Sequence, residues 1–173
     1  MRRSTIADVG RLAMELREDT YLSAQGHFCV ANRWAGYHLG LGISSTLLSV
    51  FAGASIISGT EQLELLAGLI ALAVSSLTAL TTFLNPNEHS LTHYNVGTSY
   101  LVFSNHARIF YQIRFTLREK PDLDLIQEFY DLAGQRDELN KNSLRIPEWA
   151  LKKAKKFTDE NLGSELDQWA PRF

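Results

Sequence analysis

The chain has 173 residues, a formal net charge of −2, 45% hydrophobic and 21% charged residues, a length that fits one domain or one domain plus a membrane segment. The near-neutral balance, with no Lys/Arg-rich aromatic surface, argues against a nucleic-acid partner. The single cysteine, Cys29, excludes an intrachain disulfide and a CxxC zinc site.

In chain order, Arg2, Arg3, Ile6, Asp8, Val9 and Arg11 contain no apolar region of a cleavable signal peptide, so a first spanning helix is expected to stay in the mature protein. Residues 1–35 read as an amphipathic helix. Ile6, Val9, Ala13 and Leu16 make one stripe, continued by Tyr21, Ala24, Phe28 and Ala31. Gly36, Gly40 and Gly42 then lead into a run from Leu39 to Thr60 without Asp, Glu, Lys, Arg or His, and a second such run extends from Leu65 to Asn87. Each is about 22 residues, enough to cross a hydrocarbon core of ~30 Å. Residues 36–86 are therefore expected to form a transmembrane hairpin, with spans over about 37–58 and 63–84 and a turn at Ser58-Gly59-Thr60. Asn85-Pro86-Asn87 stops or kinks the second run.

Residues 87–173 read as a helical region. About Ser90 to Arg118 carries Val96, Tyr100, Phe103, Ala107, Phe110 and Leu117 at three- and four-residue steps, a seam that asks for another helix. The Val96, Tyr100, Phe103 and Phe110 positions are candidates for an oligomer seam. Lys120-Pro121-Asp122 ends that helix, and Asp122 can cap the next, which carries Leu125, Phe129, Leu132 and Leu139. Ile146-Pro147-Glu148-Trp149 opens a short final helix. The fold class is thus all-α: a two-helix transmembrane hairpin with amphipathic cytosolic helices before and after it. A hairpin buried in a soluble helical protein is the competing reading, and it would need more covering helices than the chain offers.

A short connection puts both tails on one side. Glu61 and Glu64 flank it, whereas Arg33 precedes the first run, so the positive-inside rule places the tails in the cytosol. Within the first run Gly42, Ser45, Ser49 and Ala52 or Gly53 share a face, with Leu39, Ile43, Leu47, Val50 and Ile57 opposite. Within the second, Gly68, Ala71, Ser75, Thr78 and Thr82 do, with Leu66, Ile70, Leu77, Leu80 and Leu84 opposite; the large aliphatic faces suit lipid. Two readings stay open for the faces of small and hydroxyl residues: close helix packing, within the hairpin or between copies, and the lining of a pore made by several copies. The runs hold no ionisable residue, which disfavours proton relays and ion-coupled transport.

His38, Asn85, Pro86, His89 and His93 stand where the runs meet the charged tails and are expected at the membrane interface. His89 and His93 are four apart, but an HExxH arrangement and further ligands are missing, so no metal is expected. No phosphate loop, nucleophile elbow or dinucleotide fingerprint occurs; an enzyme is not expected, and neither is a cofactor. Lys152, Lys153, Lys155 and Lys156 with Trp149 and Phe157 form a basic amphipathic stretch, either a solvated face or a contact for anionic headgroups.

Several of these segments together resemble the SLATT proteins, two-transmembrane effectors of bacterial conflict systems. The likeness spans about Tyr21 to Phe115. It is carried by Ala24-Gln25-Gly26-His27-Phe28, Tyr37-His38-Leu39-Gly40-Leu41-Gly42, Leu65-Leu66-Ala67-Gly68-Leu69-Ile70-Ala71-Leu72, Thr82-Phe83-Leu84-Asn85-Pro86-Asn87-Glu88, His93 and Arg108-Ile109-Phe110, with a weaker match at Ile146-Pro147-Glu148-Trp149. The resemblance implies an effector of the bacterial inner membrane that permeabilises it on activation and kills or arrests the infected cell; because two spanning helices cannot enclose a conduit alone and the chain offers amphipathic seams, a homo-oligomer is expected. The resemblance also implies a neighbouring sensor enzyme, such as a nucleotidyltransferase, or its nucleotide signal, as partner besides membrane lipid. The alternative is a non-conducting anchor or scaffold that recruits a partner enzyme through its cytosolic helices.

Overall fold

The computed structural model describes the backbone of residues 2–57, 61–115 and 122–169 and the side chains of residues 8–57, 62–113 and 123–160. The expected turn at Ser58-Gly59-Thr60, the Lys120-Pro121 stop, the Asp122 cap and Leu117 lie outside the described residues or side chains. Among the described residues the chain is helical, with no strand. The elements are α1 (Arg2–Ile57), α2 (Glu61–Leu84), α3 (Pro86–Ile109), a π-helical segment (Phe110–Phe115), α4 (Asp122–Lys141) and α5 (Glu148–Trp169).

Helix α1 runs through Gly36, Gly40 and Gly42 without a break, so the amphipathic segment and the first apolar run share one helix. No proline occurs before Pro86, and an isolated glycine costs a helix only about 1 kcal/mol. The chain divides elsewhere, into one unit of Met1–Val30 with His93–Phe173 and a second of Ala31–Thr92. Two further expectations change. Helix α3 begins at Pro86 rather than near Ser90, and α5 is no short piece but continues to Trp169.

The break between α2 and α3 is one residue wide. Asn85 adopts φ 40°, a left-handed conformation that Asn tolerates better than most L residues. Its N–H donates to the Thr81 carbonyl, closing α2, and its own carbonyl accepts from the Glu88 and His89 N–H groups, opening α3. Its amide donates to the Glu88 carboxylate. Pro86 follows at the first helical position, where a missing N–H costs nothing. Pro147 does similar service for α5, its carbonyl accepting from Ala150 and Leu151.

In the first unit Val9, Ala13 and Leu16 of α1 pack with Phe103, Ala107 and Phe110 and with Leu125 and Leu132 of α4. This accounts for the expected oligomer seam: Tyr100, Phe103 and Phe110 are buried and Val96 half-buried within the subunit. An apolar seam next to helices of its own chain is covered by them first. Arg136 of α4 pairs with Asp19 of α1 at 2.7 Å. Toward the end of the unit α1 and α3 approach closely. A Cβ on Gly97 would stand 2.9 Å from the Phe28 ring and 3.2 Å from the Ala24 carbonyl oxygen.

In the second unit two stretches are long and apolar enough to cross a membrane, one within Asp8–Ile57 and one within Gln62–Ile113, and only 6% of each apolar window is buried. The core helix of a soluble protein would hide such a window. Here Leu39, Leu47, Val50, Leu65, Leu72 and Phe83 are exposed.

Candidate functional site

Residue by residue, the membrane-length parts of α1 and α2 each show a narrow covered strip. On α1 it comprises Leu41, Ser45, Leu48, Ala52 and Ser55; on α2 it comprises Ala67, Ile70, Val74, Leu77 and Thr81. Ala52 at 8% exposure and Ala67 at 2% are the most covered members. Both strips step by three and four residues, as one helix face must.

The small and hydroxyl residues singled out in the sequence mostly lie outside these strips. Ser45 and Ala52 belong to one. Gly42, Ser49, Gly68, Ala71, Ser75, Thr78 and Thr82 are exposed, and a Cβ on Gly42 or Gly68 would meet nothing within 4 Å. Packing within the subunit therefore does not explain them. The α2 strip uses Ile70 and Leu77 instead, residues expected to face lipid. Leu65, Leu69, Leu72, Leu80 and Phe83 form the remaining exposed face of α2.

The exposed hydroxyls are not left without partners. Ser49 donates to the Ser45 carbonyl at 2.8 Å, Ser75 to Ala71 at 2.9 Å, Thr78 to Val74 at 2.9 Å and Thr82 to Thr78 at 3.0 Å. Such back-bonding satisfies the donor in an apolar medium and leaves oxygen lone pairs for another group. Val74, Ser75, Thr78, Ala79, Thr82 and Phe83 border a shallow surface hollow on α2.

Where α1 enters its apolar stretch, the Trp34 indole stacks on the exposed His89 ring with centroids 4.8 Å apart and meets Tyr37 edge-on at 5.7 Å. The Arg33 Nε donates to the Tyr37 hydroxyl at 2.8 Å, and the Ser90 hydroxyl donates to the Ala31 carbonyl at 2.9 Å. Amphipathic rings of this kind suit a headgroup region. His38, Asn85 and His89 are exposed as an interface position requires, while Pro86 is buried.

His93 departs from that expectation. It is buried in the first unit, 7% exposed, facing His27 at 1%. The two Nδ1 atoms are 2.9 Å apart. Tyr100 stacks on His27 with centroids 5.5 Å apart and donates its hydroxyl to Asn140 Oδ1 at 2.7 Å. His27 Nε2 is buried without a hydrogen-bond partner. Burial, and then the neighbouring His93 ring, pull the His27 pKa from 6.5 to about 4. Burial likewise raises the Cys29 thiol, partly opposed by Lys153.

Sequence periodicity missed His27 because the stripe it follows, Tyr21, Ala24, Phe28 and Ala31, coincides with the buried residues only at Ala24 and Ala31, while Thr20, His27 and Val30 are buried as well. The polar members Thr20 and His27 disguised the buried face. Among the described residues no group of three or more His, Cys, Asp or Glu side chains could hold a metal ion.

The fold and these faces define a helical protein with two membrane-length apolar helices. Comparison with protein families, with characterised proteins and with solved structures finds no match.

Proposed function

We propose that the chain inserts in the bacterial inner membrane as a two-helix hairpin with cytosolic termini, oligomerises, and permeabilises that membrane when activated, arresting or killing the cell in antiphage defence. The observation that carries this reading is the outward position of Gly42, Ser49, Gly68, Ala71, Ser75, Thr78 and Thr82. Small and hydroxyl residues let helices of different copies approach closely. Around an opening, their oxygens replace part of the water lost by a passing ion, as leucines cannot. The hairpin is supported by the covered strips: Ala52 lies five residues before the end of α1 and Ala67 six after the start of α2, the levels that would meet across a tight connection. The antiphage role rests on the likeness to SLATT proteins, and a neighbouring sensor enzyme or its nucleotide signal is the trigger it suggests.

Leakage of ions or dye from liposomes holding the purified chain tests the reading. Ser49→Leu with Ser75→Leu should abolish leakage without preventing insertion, and Ser→Ala at both sites should reduce it. Wild-type leakage in the Ala pair would reduce these hydroxyls to packing residues.

One observation favours the anchor or scaffold reading. The first unit has an open groove of about 620 Å³ lined by Leu12, Leu22, Phe129, Arg136 and Lys155 among others, a shape suited to a partner. A scaffold leaves both liposomes and the membrane potential of expressing cells intact.

A further inference from the structure

We infer that the open groove of the first unit receives helix α5 of a second copy, lysine face inward, so that copies join head to tail through their first units. This contact deepens the oligomer proposed above and rests on that reading only in needing more than one copy.

The groove is a helix bundle lacking one member. Leu12, Leu16 and Leu22 of α1 and Phe129 and Ala133 of α4 make its floor, α5 closes one side, and about 620 Å³ between them is open. Leu12 is 38% exposed, although Val9, Ala13 and Leu16 beside it are buried. From Leu12 to Leu22 the stripe runs for about 15 Å along α1. Three helices with an uncovered apolar stripe between them call for a fourth.

Charge decides which helix fits. The rim carries the carboxylates of Glu15, Glu18, Asp19 and Asp159 and the cations of Arg136 and Lys155, a net charge of −2. Glu15 is held by Arg11 at 2.6 Å and Asp19 by Arg136 at 2.7 Å. Glu18 and Asp159 take part in no ion pair among the described residues. Such a rim repels a phosphate-bearing ligand and attracts a cationic helix. Helix α5 is one. Its Lys152, Lys153 and Lys156 are exposed on the side away from the buried Ala150 and Ala154. Lysine stems cover apolar surface while their ammonium groups reach for the rim. The bond that Lys152 makes to Glu148 at 2.8 Å is exposed at both ends, so exchanging it for a groove carboxylate costs little.

Face and groove are different surfaces of one copy. The groove borders α5 at Lys155, Thr158 and Asp159, whereas the donated face is Lys152, Lys153 and Lys156. Each copy can therefore give its face to one neighbour and its groove to another. Contacts of this head-to-tail kind close into rings when the rotation between copies permits, and a conduit made of hairpins needs several copies. Two lysine faces set against each other would repel, which excludes the symmetric alternative. Anionic headgroups would also attract the lysines, but they leave the acidic groove unexplained.

The test uses the full Cys29→Ser chain in native membranes, expressed as two copies with different tags. One copy carries Lys153→Cys and the other Leu12→Cys, and disulfide formation between the tags is measured. The mixed pair should cross-link rapidly, and Lys153→Cys copies should not cross-link with each other. Lys152→Glu with Lys156→Glu in the first copy should slow the mixed link at least about tenfold, and so should Glu18→Lys with Asp159→Lys in the second. Reversal in both copies together should restore it, which misfolded variants could not do. A mixed link no faster than the Lys153→Cys self-link, or one indifferent to both reversals, would overturn the docking and leave the groove to a foreign partner. A link slowed by the lysine reversal and not restored by the groove reversal would assign the lysines to anionic headgroups and overturn it too. Liposome leakage is measured separately: the mixed link without leakage upholds the docking and sinks the pore, and leakage without the link does the reverse.

Discussion

Gly97 and His27 show how single atoms decide the join between α1 and α3. A methyl group on Gly97 collides with Phe28 at 2.9 Å and with backbone at Ala24. Gly97→Ala should therefore destabilise the first unit by about 1–3 kcal/mol, read as a lower melting temperature in detergent, whereas Gly134→Ala, with open space around it, should not. His27 adds a pH dependence of known sign. Its folded pKa lies near 4 and its unfolded one near ~6.5, so below ~6.5 the unfolded chain binds protons that the folded chain refuses. The contribution of neutral His27 is complete above about pH 6.5 and is lost progressively as pH falls toward 4. Melting of the wild-type chain at pH 7.5 and 5.0 should show that loss, and His27→Gln should lessen it.

At the scale of elements, the Asn85 junction is the sharpest feature. Asn85→Ala removes the side-chain bond to Glu88 and places a Cβ-bearing, non-polar residue at φ 40°. It should cost about 1–2 kcal/mol, while Asn85→Gly, which accepts that φ, should cost less; thermal melting distinguishes them. The stop at this junction was legible in the sequence, since Asn-Pro-Asn breaks a helix, whereas the immediate restart at Pro86 was not, the apolar seam placing it near Ser90. The two apolar runs were legible too, since a stretch without charges needs no periodicity to be recognised. The orientation of the helix faces was not. Ile70 and Leu77 are as suited to a covered strip as to lipid, and residue size alone does not say which face another helix of the same chain covers. Nor did the sequence disclose the continuity of α1, because Gly36, Gly40 and Gly42 carry the composition of a boundary without the proline that enforces one. The His27–His93 contact joins residues 66 apart, and the π-helical segment at Phe110–Phe115 has no local signature that periodicity detects.

At the scale of the whole molecule, the chain carries a helical unit with a packed core and a pair of apolar helices whose small faces are largely uncovered. The proposed topology predicts that, in a Cys29→Ser chain, a cysteine at Lys141 is protected from impermeant maleimide added to intact cells and one at Gln62 is labelled. Labelling at Lys141 would reverse the orientation. The central claim is that another copy of the chain covers the Gly68, Ala71, Ser75, Thr78 and Thr82 face of α2. Disulfide cross-linking in native membranes measures this directly, with single cysteines in the Cys29→Ser chain at Ser75 or Thr78 on that face and at Leu69 or Leu72 on the leucine face. The account predicts rapid covalent dimers from Ser75→Cys and Thr78→Cys and few from the leucine positions. Cross-linking that favours Leu69 and Leu72, or that occurs at neither face, would contradict it.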